Sequence, residues 1–369
     1  MNRTVSFIIF IVIVSAVYFG LHFFVYKCLT RSLVQVPHWQ KALKWFLLLS
    51  GLSFYVAMFS GRLFKFHLSW LNFYAFTWLG VLAIAFFFFL IQFGLSKIFP
   101  SRTNLLAVIA LVFIAVISLV SLVNGLQAPV VRRFTIPIKQ LPRELSGFTI
   151  VQLSDVHLEA YKSKKRFAAI VDTVDKLNPD LVVITGDLID GNVCEEEVFC
   201  EKLKGLNTSR GVLAITGNHE FYAGLDAFME LANRSNIKVL RNEVATIAGS
   251  LQIIGLDDDT ARQFGAKGPD LEALIKTCDP DKPIILLYHR PDGFDRAARL
   301  GVDLQLSGHT HAGQIPPMDL LVQLYYKYPA GLYEKDGAYI YTSSGTGVWG
   351  PEMRFLSKNE ITHFTLTAQ

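Results

Sequence analysis

The first 133 residues carry eleven Lys and Arg and not one Asp or Glu. A water-exposed domain surface mixes both signs, so so long an acid-free stretch points to a different solvent. Apolar runs at 5–26, 43–60, 73–95 and 105–126 lie within it. Each is close to the roughly 20 residues a helix needs to cross a hydrocarbon core about 30 Å thick. Lys27, Arg31, Lys41, Lys44, Arg62, Lys65, Lys97 and Arg102 flank the runs, and Trp39, Trp45, Trp70 and Trp78 fall near their ends, as interfacial anchors do. Residues 1–130 therefore read as a four-helix transmembrane region. The first run is expected to be retained as a helix: it exceeds the roughly 7–15 apolar residues of a leader, and no A-x-A site follows it.

The remaining residues hold 24 Lys and Arg against 31 Asp and Glu, so the net charge of +4 combines +11 for the first part with −7 for the second. An acidic second half with no basic stripe disfavours nucleic acid as substrate. The cluster Lys162, Lys164, Lys165 and Arg166 is the exception, expected as a solvated helix face, with an anionic headgroup contact as the alternative. Four spans put both ends of the helical region on one side. Basic residues divide five against six between the faces, so they assign no orientation. Cys194, Cys200 and Cys278 form no C-x-x-C, which excludes the common zinc and redox motifs. An odd number of thiols leans toward a reducing compartment and a cytoplasmic second half, with a Cys194–Cys200 pair as the alternative.

"APVVRRFTIPIKQLP", residues 128–142, is basic and broken by Pro, and 131–147 is expected to be a juxtamembrane linker. From residue 148 to 369 short β-branched runs alternate with amphipathic segments. "FTIVQLSD", "LVVITGD", "VLAITGNHE", "SLQIIGLDD", "PIILLYH" and "VDLQLSGHTH" read as strands. "SKKRFAAIVDTVDKLNPD" has helical spacing at Phe167, Ile170, Val171 and Val174. Fully apolar strands interleaved with helices indicate an α/β sandwich.

These strands stop on a consistent set of residues. They end in Asp155-Val156-His157, in Gly186-Asp187, in Gly217-Asn218-His219-Glu220, in His289, and in Gly308-His309-Thr310-His311; five of the nine histidines sit there. Such sheets present their carboxyl ends at one edge, where ligands bind. Asp155 and His157, like His309 and His311, are two apart and point to one side. Mixed imidazole and carboxylate ligands suit Mn, Fe, Zn or Co. Seven candidates exceed the needs of one ion but fit two that share a carboxylate. Two ions roughly 3.5–4 Å apart clamp the attacking and leaving oxygens at phosphorus, and water between them would be a hydroxide near neutral pH.

The ordered series D-x-H, G-D, G-N-H-E, H and G-H-T-H resembles the calcineurin-like metallophosphoesterase superfamily, over about residues 148–366. The resemblance implies a two-sheet sandwich flanked by helices, with its site at the strand ends. It implies that Asp155, His157, Asp187 and His311 hold one ion, and that Asp187 bridges to a second completed by Asn218, His289 and His309. It makes His219 the general acid. Glu220 replaces an Asp common among relatives and is expected only to adjust the surroundings of the ligands; Ala312 replaces a common Gly, without consequence. Two residues are left with two readings each: Asp190 as a helix cap or a ligand's partner, and Arg290 as a phosphate contact or a surface residue.

The expected function is a membrane-bound, metal-dependent hydrolase of a phosphodiester or pyrophosphate bond. A lipid-linked substrate such as UDP-2,3-diacylglucosamine is one candidate, a soluble phosphodiester the alternative. A sensor or transport protein with a regulatory phosphoesterase-like domain is a third reading. It is disfavoured because the ligand set is complete and the spans lack the acids of an ion path. Leu320, Leu321, Leu324 and Tyr325 form one apolar helical face, a candidate lipid contact beside the phosphoester substrate and the bilayer. His22 is expected to pack beside lipid.

Overall fold

In the computed structural model, residues 3–64, 69–159, 164–191 and 197–369 are described; His67, Lys162 and Cys194 lie outside them. The chain divides into two compact units.

The first unit holds α1 (Arg3–Ser32), α2 (Pro37–Phe64), α3 (Ser69–Ile98) and α4 (Thr103–Leu126). All four are long and apolar enough to cross a membrane, and Val12, Val17, Leu49, Val56, Val112 and Leu119 project outward from them. A helix apolar on its outer face as well as its inner one has lipid as its solvent. Inside, Tyr18, Leu82, Ile84, Phe89, Ile114 and Ile117 make the core. His22 is buried there, not beside lipid as expected. Its Nδ1 lies 2.9 Å from the Tyr18 carbonyl, which only accepts, and the Trp78 indole donates to its Nε2 at 3.0 Å. Both nitrogens of a neutral ring are thereby satisfied.

Two segments distant in sequence, Gln314–Met318 and Gly350–Leu356, belong to this helical unit. Their non-helical backbone is bonded within it: Arg354 N–H donates to the Ser121 carbonyl at 2.7 Å and Phe355 N–H to the Gln314 carbonyl at 2.6 Å. Irregular backbone is tolerated at membrane depth where protein covers it. Gly125 makes the approach possible, since a Cβ there would run into the Glu352 carbonyl.

The second unit contains β1 (Val130–Ile138), β2 (Thr149–Leu153), β3 (Leu181–Thr185), β4 (Val212–Ile215), β5 (Ile237–Val239), β6 (Glu243–Ile247), β7 (Leu251–Gly255), β8 (Ile284–Leu287), β9 (Leu304–Ser307), β10 (Gly331–Lys335), β11 (Ala338–Thr342) and β12 (Glu360–Ala368). Its helices are α5 (Lys164–Leu177), α6 (Glu197–Lys204), α7 (Asn218–Ala223), α8 (Leu225–Arg234), α9 (Leu271–Ile275), α10 (Phe294–Arg299) and α11 (Met318–Tyr325). One sheet runs β1-β12-β2-β3-β4-β5 and the other β10-β11-β9-β8-β7-β6. Strands β2 to β5 are mutually parallel, as are β7, β8, β9 and β11.

Period-two alternation within fully apolar strands builds the layers. Ile150 and Val183 turn toward the second sheet, joining Ile253, Ile285, Leu287, Leu304 and Leu306. Their neighbours Val151, Leu153, Val182 and Ile184 turn the other way, onto Phe167, Ile170, Val171 and Val174 of α5 and onto Phe199 and Phe228. Each such buried side chain contributes roughly 1.5–3 kcal/mol. The expected two-sheet sandwich flanked by helices is what forms.

The expected linker is corrected. Within 131–147, residues up to Ile138 belong to β1, an edge strand parallel to β12, with Val130 opposite Glu360 and Ile138 opposite Ala368. Phe134, Ile136 and Ile138 alternate into the inter-sheet core. Pro137 is tolerated because an edge strand has one unpaired side.

Candidate metal centre

Every residue of the ordered series sits at or just beyond the carboxyl end of a strand. Asp155 and His157 follow β2, Asp187 follows β3, Asn218 and His219 follow β4, His289 follows β8, and His309 and His311 follow β9. Inside the second unit the ends of both sheets meet. His309 N–H donates to Asp155 Oδ1 at 3.0 Å, and His289 Nε2 lies 3.1 Å from Asp187 Oδ2.

The backbone here is held in an unusual conformation. Asp155, His157, Asp187, His309 and His311 all have positive φ, between 50° and 72°. Non-glycine residues avoid this region, at a cost of about 1–3 kcal/mol each, and such strain concentrates at functional sites. Gly217 and Gly308 provide the space: a Cβ at Gly217 would strike the Asp187 carboxylate, and one at Gly308 would strike Ser154 Oγ and the Asp155 carboxylate.

Among the described residues three groups have ligand atoms within 4.8 Å of one another: Asp155, His157 and His311; Asp187, His289 and His309; and His157, Asp187 and His219. Asp187 belongs to two of them. The donor set fits cations on three counts. His157 Nδ1 lies 2.5 Å from Asp190 Oδ1, so it carries the proton, and its Nε2 points at His311 Nε2, 3.0 Å away. His289 likewise gives its Nδ1 proton to the Thr185 carbonyl at 2.8 Å and aims Nε2 at Asp187 and at His309 Nδ1, 3.2 Å away. Asn218 Oδ1 is buried and has no hydrogen-bond partner among the described residues. Converging lone pairs and an orphaned amide oxygen are what a cation satisfies.

The protein's own charges are strongly coupled here. For the protein's own groups alone, burial opposes protonation of His289 but the Asp187 charge and hydrogen bond outweigh it and raise its pKa to about 10; a cation held by Nε2 would displace that proton. Burial lowers His309 to about 3, helped by the charges of His289 and Arg290. His219 also resists burial: its hydrogen bond to Asp190, with the charges of Asp187, Asp190 and Glu220, raises it to about 9.

Asp190 resolves as a partner and not a helix cap, since the same Oδ1 that meets His157 lies 2.7 Å from His219 Nδ1. Glu220 does more than adjust the surroundings. Fully buried, it accepts from the amides of Asp187, Leu188, Ile189 and Gly217 at 2.6–3.1 Å, tying the β3 turn to the β4 turn. Burial and the Asp187 charge push its pKa up to about 7, against those amides.

Arg290 is not a surface arginine. Its Nε donates to Asp258 Oδ2 at 2.7 Å and its Nη2 to Asp258 Oδ1 at 3.2 Å, while Nη1 approaches His309 Nε2 at 3.4 Å. Sequence reasoning missed Asp258, although three consecutive acids after β7 were a signal. It also missed Ser154, whose hydroxyl donates to Asp155 Oδ2 at 2.5 Å. Tyr222 and Trp349 were missed as well; each ring meets the His219 ring edge-on at 5.7 Å.

Comparison with known proteins gives the family. Residues 148–313 match the family model for calcineurin-like phosphoesterases. The chain is 35% identical over 323 residues to a zebrafish transmembrane protein with a metallophosphoesterase domain, covering 80% of this chain and 74% of that one. It is 36% identical over 245 residues to a Helicobacter pylori metallophosphoesterase, covering 66% of this chain and 65% of that one. Among solved structures, a zebrafish dimetal phosphatase aligns over 54% of this chain and 88% of its own, at 13% identity and a TM-score of 0.38.

Proposed function

Because the chain belongs to the calcineurin-like phosphoesterase family, we propose that it is a membrane-bound hydrolase of a phosphodiester or pyrophosphate bond. The observation that carries this reading is the pair of groups Asp155/His157/His311 and Asp187/His289/His309, with His219 beside them. Asp155, His157, Asp187 and His311 would hold one divalent ion, and Asp187, Asn218, His289 and His309 the other. Manganese, iron and zinc all suit these donors. When bound, the ions supply Lewis acidity at the phosphoryl oxygens and a water acidified toward neutral pH.

The chain's own residues do the rest. Asp190 holds His157 and His219 in one orientation through a single carboxylate oxygen. His219, aligned by Asp190, donates its proton to the leaving-group oxygen as the bond from phosphorus to that oxygen breaks and water adds to phosphorus. Arg290, pre-aligned by Asp258, binds a non-bridging phosphoryl oxygen through a charge-assisted contact. The four spans support a substrate that resides in the bilayer, and a lipid-linked pyrophosphate such as UDP-2,3-diacylglucosamine is the first to test.

The test uses the full chain in detergent with Mn²⁺ beside an EDTA-treated control, given that lipid and bis-p-nitrophenyl phosphate in parallel. Metal-dependent cleavage of the lipid far above that of the diester supports a lipid pyrophosphatase. Cleavage of the diester alone keeps the hydrolase and makes the helical unit a tether. No metal-dependent cleavage of either counts against the reading.

A further inference from the structure

Helix α11 is built inside out. Its acid, Asp319, is 6% exposed and faces the protein, with Oδ1 accepting the Leu320 amide at 2.9 Å. Its apolar residues Met318, Leu320, Leu321, Leu324 and Tyr325 face away, Leu324 being 84% and Tyr325 79% exposed. At about 100° per residue those five fall within one arc of roughly 160°. A helix packed on a water-soluble domain turns such a stripe inward and its polar residues outward.

The connection of the chain indicates what covers this face. The segment leading into α11, Gln314–Met318, is part of the unit of four membrane-spanning helices. There Ile315 joins the core cluster of Ile84, Phe89 and Ile114, and a Cβ on Gly80 would lie 3.4 Å from its Cδ1. Gly80 is eleven residues along α3 from Ser69, about 16 Å of helix rise. Three residues link Ile315 to Met318, at most about 11 Å of chain. The exposed face of α11 therefore begins within that reach of a side chain embedded among transmembrane helices. Tyr325 closes the apolar arc at its C-terminal end, a residue type that anchors at a headgroup layer.

We propose that α11 is an interfacial helix, with its Leu320-Leu321-Leu324-Tyr325 face inserted into the surface of the bilayer that the four helices span. The occupant is lipid, and the helix holds the catalytic half against the headgroups whatever its substrate.

The experiment places trifluoromethylphenylalanine at position 321, 324, 112 or 336 of the full chain, one per sample, in lipid nanodiscs holding a single copy. Val112 faces outward from α4, and Asp336 is exposed in the turn between β10 and β11. Fluorine relaxation is read with dissolved oxygen, which partitions into lipid, and with an aqueous gadolinium chelate. The expected result is that positions 321 and 324 follow position 112, with oxygen enhancement several-fold above that of the chelate. Chelate enhancement at 324 equal to that at 336 would overturn the proposal. So would protection that appears only in discs loaded with two copies, because a second chain would then be the occupant. Neither readout depends on turnover, so failure of the proposed reaction would leave this result intact.

Discussion

His219 Nδ1 lies 2.7 Å from Asp190 Oδ1, and that contact orients the ring proposed as general acid. The same oxygen receives His157 Nδ1, so a single carboxylate aligns a proposed ligand and the proposed acid. Asp190→Asn should lower metal affinity about 10–100-fold, the usual effect of losing a ligand's supporting partner, and should lower kcat as well. Metal titration alongside kcat checks both; unchanged metal affinity would separate Asp190 from the ligands.

His219→Ala and Asp187→Ala should fail differently. The first should keep its metal content and lose on the order of 10²–10⁴ in kcat, the range of a lost general acid. The second should lose turnover together with bound metal, because Asp187 belongs to two of the three ligand groups. Elemental analysis of purified variants beside single-turnover rates distinguishes them. Full metal-dependent activity in Asp187→Ala would end the two-ion reading.

Gly125→Ala should destabilise the helical unit. The new Cβ meets the Glu352 backbone carbonyl, which cannot swing aside like a side-chain tip, and overpacking of this kind costs about 1–3 kcal/mol. Thermal unfolding in detergent should show a lower Tm than wild type. Gly94→Ala, where no atom of the described residues lies within 4 Å of the added one, should be neutral and serves as the control.

Asp295 gives a prediction in pH. It accepts from Lys327 at 2.5 Å, Tyr328 at 2.6 Å and Lys335 at 2.9 Å, and the Lys327 hydrogen bond leads in holding its carboxyl well below the ordinary 3.8. A carboxylate whose pKa is depressed on folding stabilises the fold above its unfolded pKa and loses that contribution as pH falls toward the folded value. Asp295→Asn should therefore lower Tm near pH 6, with the gap to wild type closing below roughly pH 3.8. Parallel melting curves across that range test the sign; a gap that widened on acidification would refute it.

The cluster of candidate ligands was legible in the sequence because each is marked locally, as a short polar motif directly after an apolar strand, and parallel strands deliver those motifs to one edge. The four spans were legible for a similar reason: length, apolarity and the missing acids are properties of contiguous segments. Asp190, Glu220 and Asp258 could not be assigned this way. What each holds, the rings of His157 and His219, the amides of the β3 and β4 turns, or the guanidinium of Arg290, depends on contacts between elements far apart in the chain. Strand β1 was hidden behind Arg132, Arg133 and Pro137, and its partner β12 begins at residue 360. Nor did any local signal place residues 314–318 and 350–356 with the transmembrane helices. Solvent preference and ligand type are written residue by residue, so composition and spacing determine them. Which buried polar group meets which partner is settled only when the strands pair and the loops close, because desolvation makes an unpartnered group too costly to keep.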